Sequence, residues 1–106
     1  MTVISADGRF EWDSDKNEIN VRKHGLHFEE ILPIFEDPLF LEKYDSEHSS
    51  ENEDRYFGIG TVQNVLVVVV SYVEKTRIRM ISARIATSFE KVLYERRWKY
   101  ADCGRN

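Results

Sequence analysis

Arg55, Arg79 and Arg84, His24 with Lys23 before it, and Tyr94 are the side chains of this sequence whose types could do chemistry. A guanidinium stays charged at any working pH, and its fork meets two phosphate oxygens at once, so the arginines suit an anionic, phosphate-bearing ligand. Histidine is the side chain whose ordinary pKa lies near neutrality, and His24 falls just before Gly25, where a helix is expected to end. A tyrosine can pass a proton at a phosphate or stack on a base, as could the ring of Trp12 or Trp98. Each has a plainer alternative. His24 could cap the last carbonyls of its helix, and Tyr94 could be a helix-face residue with a wet hydroxyl. Arginines are often solvated or salt-bridged, and a tryptophan in so small a chain is usually core.

These side chains must be positioned by elements that the pattern also predicts. Phe10 to Trp12 alternates as a short strand, and Asp13 or Ser14 then offers an N-cap for a helix through Lys23, closed by Gly25. Phe28, Ile31, Leu32 and Phe35 fall on one stripe of a second helix, with Glu29 and Glu30 in its first turn. Pro33 lies past the first turn and costs that helix a hydrogen bond or a kink, and Asp37-Pro38 ends it.

Leu39 to Tyr44 and Arg55 to Thr61 read as strands around a polar, acidic loop from Asp45 to Asp54. After a turn at Gln63-Asn64, the β-branched run Val65 to Val73 reads as a strand covered on both faces. Glu74 to Thr76 turns into Arg77 to Arg84. Strict alternation there puts Arg77 and Arg79 on one face and Arg84 in the opposite register. Thr87-Ser-Phe-Glu90 is a capping box, starting a helix to about Trp98 with Phe89, Val92, Leu93 and Tyr100 on one side. Ala101 to Asn106 is expected to fray. Runs of strands rather than strict β-α alternation predict an α+β fold: an antiparallel sheet of four to five strands, two N-terminal helices and one C-terminal helix.

The 106 residues suit one domain, and 42% apolar content speaks against disorder. A single cysteine, Cys103, allows no internal disulfide, and the six-residue apolar run Val65 to Val70 cannot span a bilayer. Met1 to Ser5 is too short for the apolar core of a signal peptide, so a soluble, cytoplasmic protein without a membrane partner is expected. The net charge is −4, yet residues 1–73 carry six Lys/Arg against fifteen Asp/Glu and residues 74–106 carry nine against four. Either a basic surface rides on an acidic body, or the two regions neutralise each other in the fold. His24, His27 and His48 form no ligand spacing with cysteine or carboxylates, so no metal and no cofactor is expected. No phosphate-loop or dinucleotide motif occurs, and Gly58-Ile-Gly60 is read as a bulge or packing feature.

Four stretches together resemble the BrnT family of toxins from bacterial type II toxin–antitoxin pairs. They are Phe10-Glu-Trp-Asp13, Asn20-Val-Arg-Lys-His-Gly-Leu-His-Phe-Glu-Glu30, Arg55-Tyr-Phe-Gly-Ile-Gly60, and Arg79-Met-Ile-Ser-Ala-Arg84 with Glu90 and Tyr94 beyond. The resemblance implies a RelE-like ribonuclease fold, metal-independent RNA cleavage, and neutralisation by a BrnA-like protein antitoxin from the same operon. It implies that operator DNA is met only through that antitoxin. His27 stands where the family has a small capping residue, which weakens the N-cap of the second helix.

Cleavage through the RNA's own 2′-hydroxyl needs a base, an acid and cations for the phosphorane charge. On that reading Arg84, Arg79, Arg55, His24 and Tyr94 are the catalytic candidates, and Lys23 and Trp12 contact substrate. A non-catalytic protein-binding module of the same fold is the competing expectation. A DNA-binding regulator is disfavoured by the acidic total and the lack of a basic helix face.

Overall fold

The structure is a computed structural model that describes residues 1–103, with side chains described for residues 1–97. The elements run β1 (Thr2–Ile4), β2 (Phe10–Asp13), α1 (Ser14–His24), α2 (Phe28–Ile31), a 3-10 segment (Leu32–Glu36), β3 (Leu41–Tyr44), β4 (Arg55–Val62), β5 (Leu66–Glu74), β6 (Ile78–Ile85) and α3 (Ser88–Cys103). The fold is α+β. Its sheet has six strands in the order β1-β2-β6-β5-β4-β3, and it is mixed, because β2 pairs parallel to β6 while the other neighbours are antiparallel. This corrects the expected antiparallel sheet of four to five strands. A three-residue β1 has too little pattern to read, and no local signal sets the direction in which β2 meets a strand far along the chain.

The local starts follow from capping. The Asp13 carboxylate accepts the Asp15 amide at 2.9 Å to open α1, and Gly25 closes it in the left-handed region at φ 70°. His27 gives α2 no side-chain cap; the Asn17 carboxamide of α1 accepts the Phe28 amide at 2.9 Å instead. The single helix expected across Phe28 to Phe35 is broken by Pro33 into one α-turn and a tighter 3-10 segment. The buried stripe tightens with it: Phe28, Ile31 and Ile34 recur every third residue and are almost fully buried, while Leu32 and Phe35 pack at the margin.

The main core lies on one sheet face, where these residues meet Phe10, Trp12, Val68, Val70, Tyr72, Met80 and Ala83. Gly58 keeps the sheet open to Phe40: a Cβ there would come within 2.0 Å of the ring, which is the packing role expected of the Gly58–Gly60 pair. A smaller cluster of Ile59, Val69, Ala86 and Tyr94 seats α3 on the opposite face. The α3 face differs from expectation. Glu90, Leu93 and Tyr94 turn inward, while Phe89 and Val92 are exposed. Tyr100 lies outside the described side chains. α3 continues through Cys103, beyond the expected end near Trp98, and the last residues of the expected frayed tail, 104–106, lie outside the described residues.

α1 lies along the part of β6 that β2 does not reach. Asn20, only 4% exposed, substitutes for a strand there. Its Nδ2 donates to the carbonyls of Ala83 and Leu26 at 2.9 Å each, and its Oδ1 accepts the Ala83 amide at 3.0 Å. Replacing Asn20 by Ala strands two buried backbone groups of Ala83 and the half-buried Leu26 carbonyl, and should cost about 3 kcal/mol. Asn20→Asp should cost more, because it turns a carboxylate toward two carbonyl oxygens. Urea unfolding checks both. Equal or negligible losses would show that α1 is held by packing alone.

Candidate anion-binding face

Register decides which side chains share the sheet face opposite the main core. Across β5 and β6, Val73 faces Arg79, Tyr72 faces Met80, Ser71 faces Ser82 and Val69 faces Arg84. Ile81 has no partner, so β6 carries a one-residue bulge between Met80 and Ser82. The extra residue reverses the alternation. Arg79 and Arg84, placed in opposite registers by strict alternation, therefore project from the same face. Arg55 pairs with Val73 and joins them, as does Phe57 through its pairing with Ser71.

Cα spacing follows from the ladder. Arg55 and Arg79 are two strands apart, about 10 Å, and Arg79 and Arg84 stand four residues apart along β5, about 13 Å. The three guanidiniums are spread over the face and do not converge on one point in the resting protein. Each is held by a carboxylate. Arg79 bridges Glu11 of β2 at 2.5 Å, Arg55 reaches Glu53 at 3.5 Å, and Arg84 grips Glu90 through both nitrogens at 2.7 and 2.8 Å. Only the Arg79–Glu11 pair joins the basic part of the chain to the acidic part, so the charge asymmetry is neutralised in the fold at that one of the three positions. The Arg55 Nε is buried without a hydrogen-bond partner among the described residues.

The Arg84–Glu90 pair ties sheet to helix. Glu90 Oε1 also accepts the Thr87 amide at 2.8 Å, and the Thr87 hydroxyl accepts the Glu90 amide at 3.2 Å, which completes the capping box. The Arg84 hydrogen bonds, chief among these influences, hold the Glu90 carboxyl down at about 2, and Glu90 in turn raises Arg84. A carboxylate so acidic is a poor proton acceptor near neutrality, which removes Glu90 from the candidate bases.

His24 and Lys23 are exposed on the last turn of α1. With Lys16, Ile19, Asn20, Ile81 and Ser82 they line a cleft of about 280 Å³. Ser82 also lines a cleft of about 150 Å³ with Arg84, so the histidine and this arginine stand on adjoining hollows. Tyr94 is placed differently. It is 7% exposed, its hydroxyl donates to Asp37 Oδ2 at 2.6 Å, and burial followed by that bond raises its pKa. Burial alone would push the Asp37 carboxyl up, but bonds from Tyr94, Leu39 and Thr61 hold it below its ordinary value. Tyr94 is thus a fastener between α3 and the sheet, not a free proton donor. Trp12, expected at the substrate, is 4% exposed and packs edge-on to Phe28 on the opposite face from the arginines. Trp98 lies outside the described side chains. Sequence reading missed Phe57, Ser71 and Ser82, since only the cross-strand register brings them near Arg84, while Glu90, already singled out in the capping box, reaches Arg84 from the first turn of α3. Among the described residues, no group of three or more His, Cys, Asp or Glu side chains is arranged to hold a metal ion, and no helix is long and apolar enough to cross a membrane.

Fold and site together define a small α+β protein whose sheet face opposite the main core carries three arginines, each paired with a carboxylate. The family model described as "Ribonuclease toxin, BrnT, of type II toxin-antitoxin system" matches residues 12–90, and the chain belongs to that family. A crystal structure of the Brucella abortus ribonuclease toxin BrnT is similar in fold, with a TM-score of 0.55 and 24% identity over 73% of this chain and 94% of that one. No curated protein matches the sequence significantly.

The Glu90 carboxyl makes the site pH-sensitive in a definite direction. Lowered from 4.5 to about 2 by folding, it stabilises the fold above pH 4.5, and that contribution is lost as pH falls toward 2. The loss should be about 2 kcal/mol once solvent screening at Arg84 is allowed for. Glu90→Gln should flatten the acid limb of a stability–pH curve measured by urea unfolding. An unchanged limb would place the acid sensitivity elsewhere.

Proposed function

We propose that this chain is a RelE-like ribonuclease that cleaves RNA through the substrate's own 2′-hydroxyl, without a metal ion, and so inhibits translation in the cytoplasm. The shared sheet face of Arg55, Arg79 and Arg84 is the observation that carries this reading. The arginines hold successive phosphates, and Arg84 bears the charge that develops on the phosphorane. His24, beside Lys23 in the adjoining cleft, exchanges the proton. Family membership supports RNA as the substrate and a protein antitoxin as the partner. The antitoxin in this reading is the BrnA-like product of the same operon, and it alone contacts operator DNA.

A second reading has one observation in its favour. All three arginines are paired with carboxylates in the free chain, as suits a non-catalytic module that binds a protein. Incubation of the purified chain with RNA in EDTA separates the two, and cleavage is expected. Restoration by a divalent ion after loss in EDTA would overturn the metal-free mechanism, and inactivity under both conditions would establish the binding module. Arg84→Ala should lower the rate roughly a hundredfold, as for a lost oxyanion donor. Arg84→Lys should recover only part of that, since a point charge cannot reproduce the fork. Arg77, which leaves the sheet to donate to the Gly8 carbonyl at 3.0 Å, serves as the control: Arg77→Ala should be nearly silent.

The partner is tested separately. Co-expression with the neighbouring gene, followed by purification on a tag carried by that neighbour, should recover this chain in a stable complex. Its absence from the eluate would sink the proposed pairing.

A further inference from the structure

Two aromatic side chains of the sheet, Tyr44 and Phe57, belong to neither core, and while Tyr44 is exposed and meets the Tyr56 ring, Phe57 meets no other described ring. Its neighbours Tyr56 and Ile59 belong to clusters on opposite faces, yet Phe57 is in neither cluster and remains half-buried. The aromatic pairs among the described residues lie on the other face, among residues such as Phe35, Phe40, Tyr56 and Tyr72. Phe57 instead helps to line the cleft of about 150 Å³ shared with Val69, Ser71, Ser82, Arg84 and Glu90. A ring with no aromatic partner among the described residues, beside Ser71 on the next strand and sharing a cleft with a guanidinium, is an unusual thing for an inner strand to carry.

We propose that this cleft is a nucleobase subsite, in which one base of a single-stranded RNA stacks on Phe57 while Arg84 takes an adjoining phosphate. The proposal rests on the ribonuclease reading for its choice of ligand. Three features support it. The volume is well under the roughly 300 Å³ at which pockets for larger ligands begin, a size that suits a single ring system. Ser71 and Ser82 are directly opposed across β5 and β6, and their hydroxyls form no hydrogen bond to another described residue. A hydroxyl both donates and accepts, so the pair can meet the edge of any base without selecting strongly among them. Stacking is equally tolerant, because every base has a π-face. The subsite therefore holds and orients the strand more than it reads sequence. Phe57 is a positioning residue.

The test uses the full chain and a short fluorescein-labelled RNA whose riboses are all 2′-O-methylated, so that it binds without being cut. Phe57→Leu should weaken binding, read by anisotropy, about tenfold, and Phe57→Tyr should recover most of that loss. Tyr44→Leu, on the opposite face, should leave binding unchanged. An abasic ribose walked along the probe should find one position that weakens the native chain about tenfold and adds nothing to Phe57→Leu. Unchanged affinity in Phe57→Leu overturns the proposal, as it would if the cleft served a protein side chain. Equal losses in Leu and Tyr variants overturn it too, because packing and not stacking would then be at stake. Binding that depends on Phe57 in a chain that cuts no RNA would uphold the subsite while removing the ribonuclease reading. Cleavage that ignores Phe57 would do the reverse.

Discussion

Beyond Glu11, β2 gives the edge of β6 no further strand pairing, and a single carboxamide completes it. Asn20 meets the amide and the carbonyl of Ala83 as a neighbouring strand would, and it takes the Leu26 carbonyl as well. Backbone groups buried without partners are costly, so a strand edge closed by a helix needs a side chain of this kind. The arrangement fixes more than an edge. It locates α1 against β6, which brings Lys23 and His24 beside Ile81 and Ser82. It also holds the segment after the Ile81 bulge, and so the direction in which Arg84 leaves the sheet.

The arginine face is electrostatically quiet at rest. Glu11, Glu53 and Glu90 each occupy a guanidinium, and an incoming phosphate must displace or share with a carboxylate. A lone anion gains little from such an exchange. A polyanion engages several arginines in one event, so the costs are met by many contacts together. The net charge of −4 is consistent with this design: local pairing, not bulk charge, sets what the face attracts.

Much of the fold could be read from local chemistry. Asp13, Gly25 and the Thr87–Glu90 capping box mark helix ends, since each acts within a few residues of itself. The hairpins were equally plain, as with the turn at Gln63-Asn64, where both residues adopt φ 57°. What escaped depends on partners far along the chain. The parity of Arg79 and Arg84 turns on a bulge that only pairing with β5 reveals. Trp12 gives no local sign of which sheet face it will occupy. The inward face of α3 follows Glu90 and Tyr94, whose polar ties to Arg84 and Asp37 outrank the apolar Phe89 and Val92. Hydrophobic pattern alone places Phe89 and Val92 inward with Leu93, and of these three only Leu93 turns in.

The place of β6 in the sheet also imposes an order in time. It is the last strand to be synthesised, yet it sits between β2 and β5 and supplies Arg79 and Arg84. Its partner β2 lies near the start of the chain, so the two can meet only after the residues between them have left the ribosome. Until then β2 has β1 alone beside it, Glu11 has no arginine, and Asn20 has no edge to close. A nascent chain that stalls before Ile78 therefore displays Glu11 without its guanidinium. Arg79 meets its acid only after β6 has emerged and paired with β2.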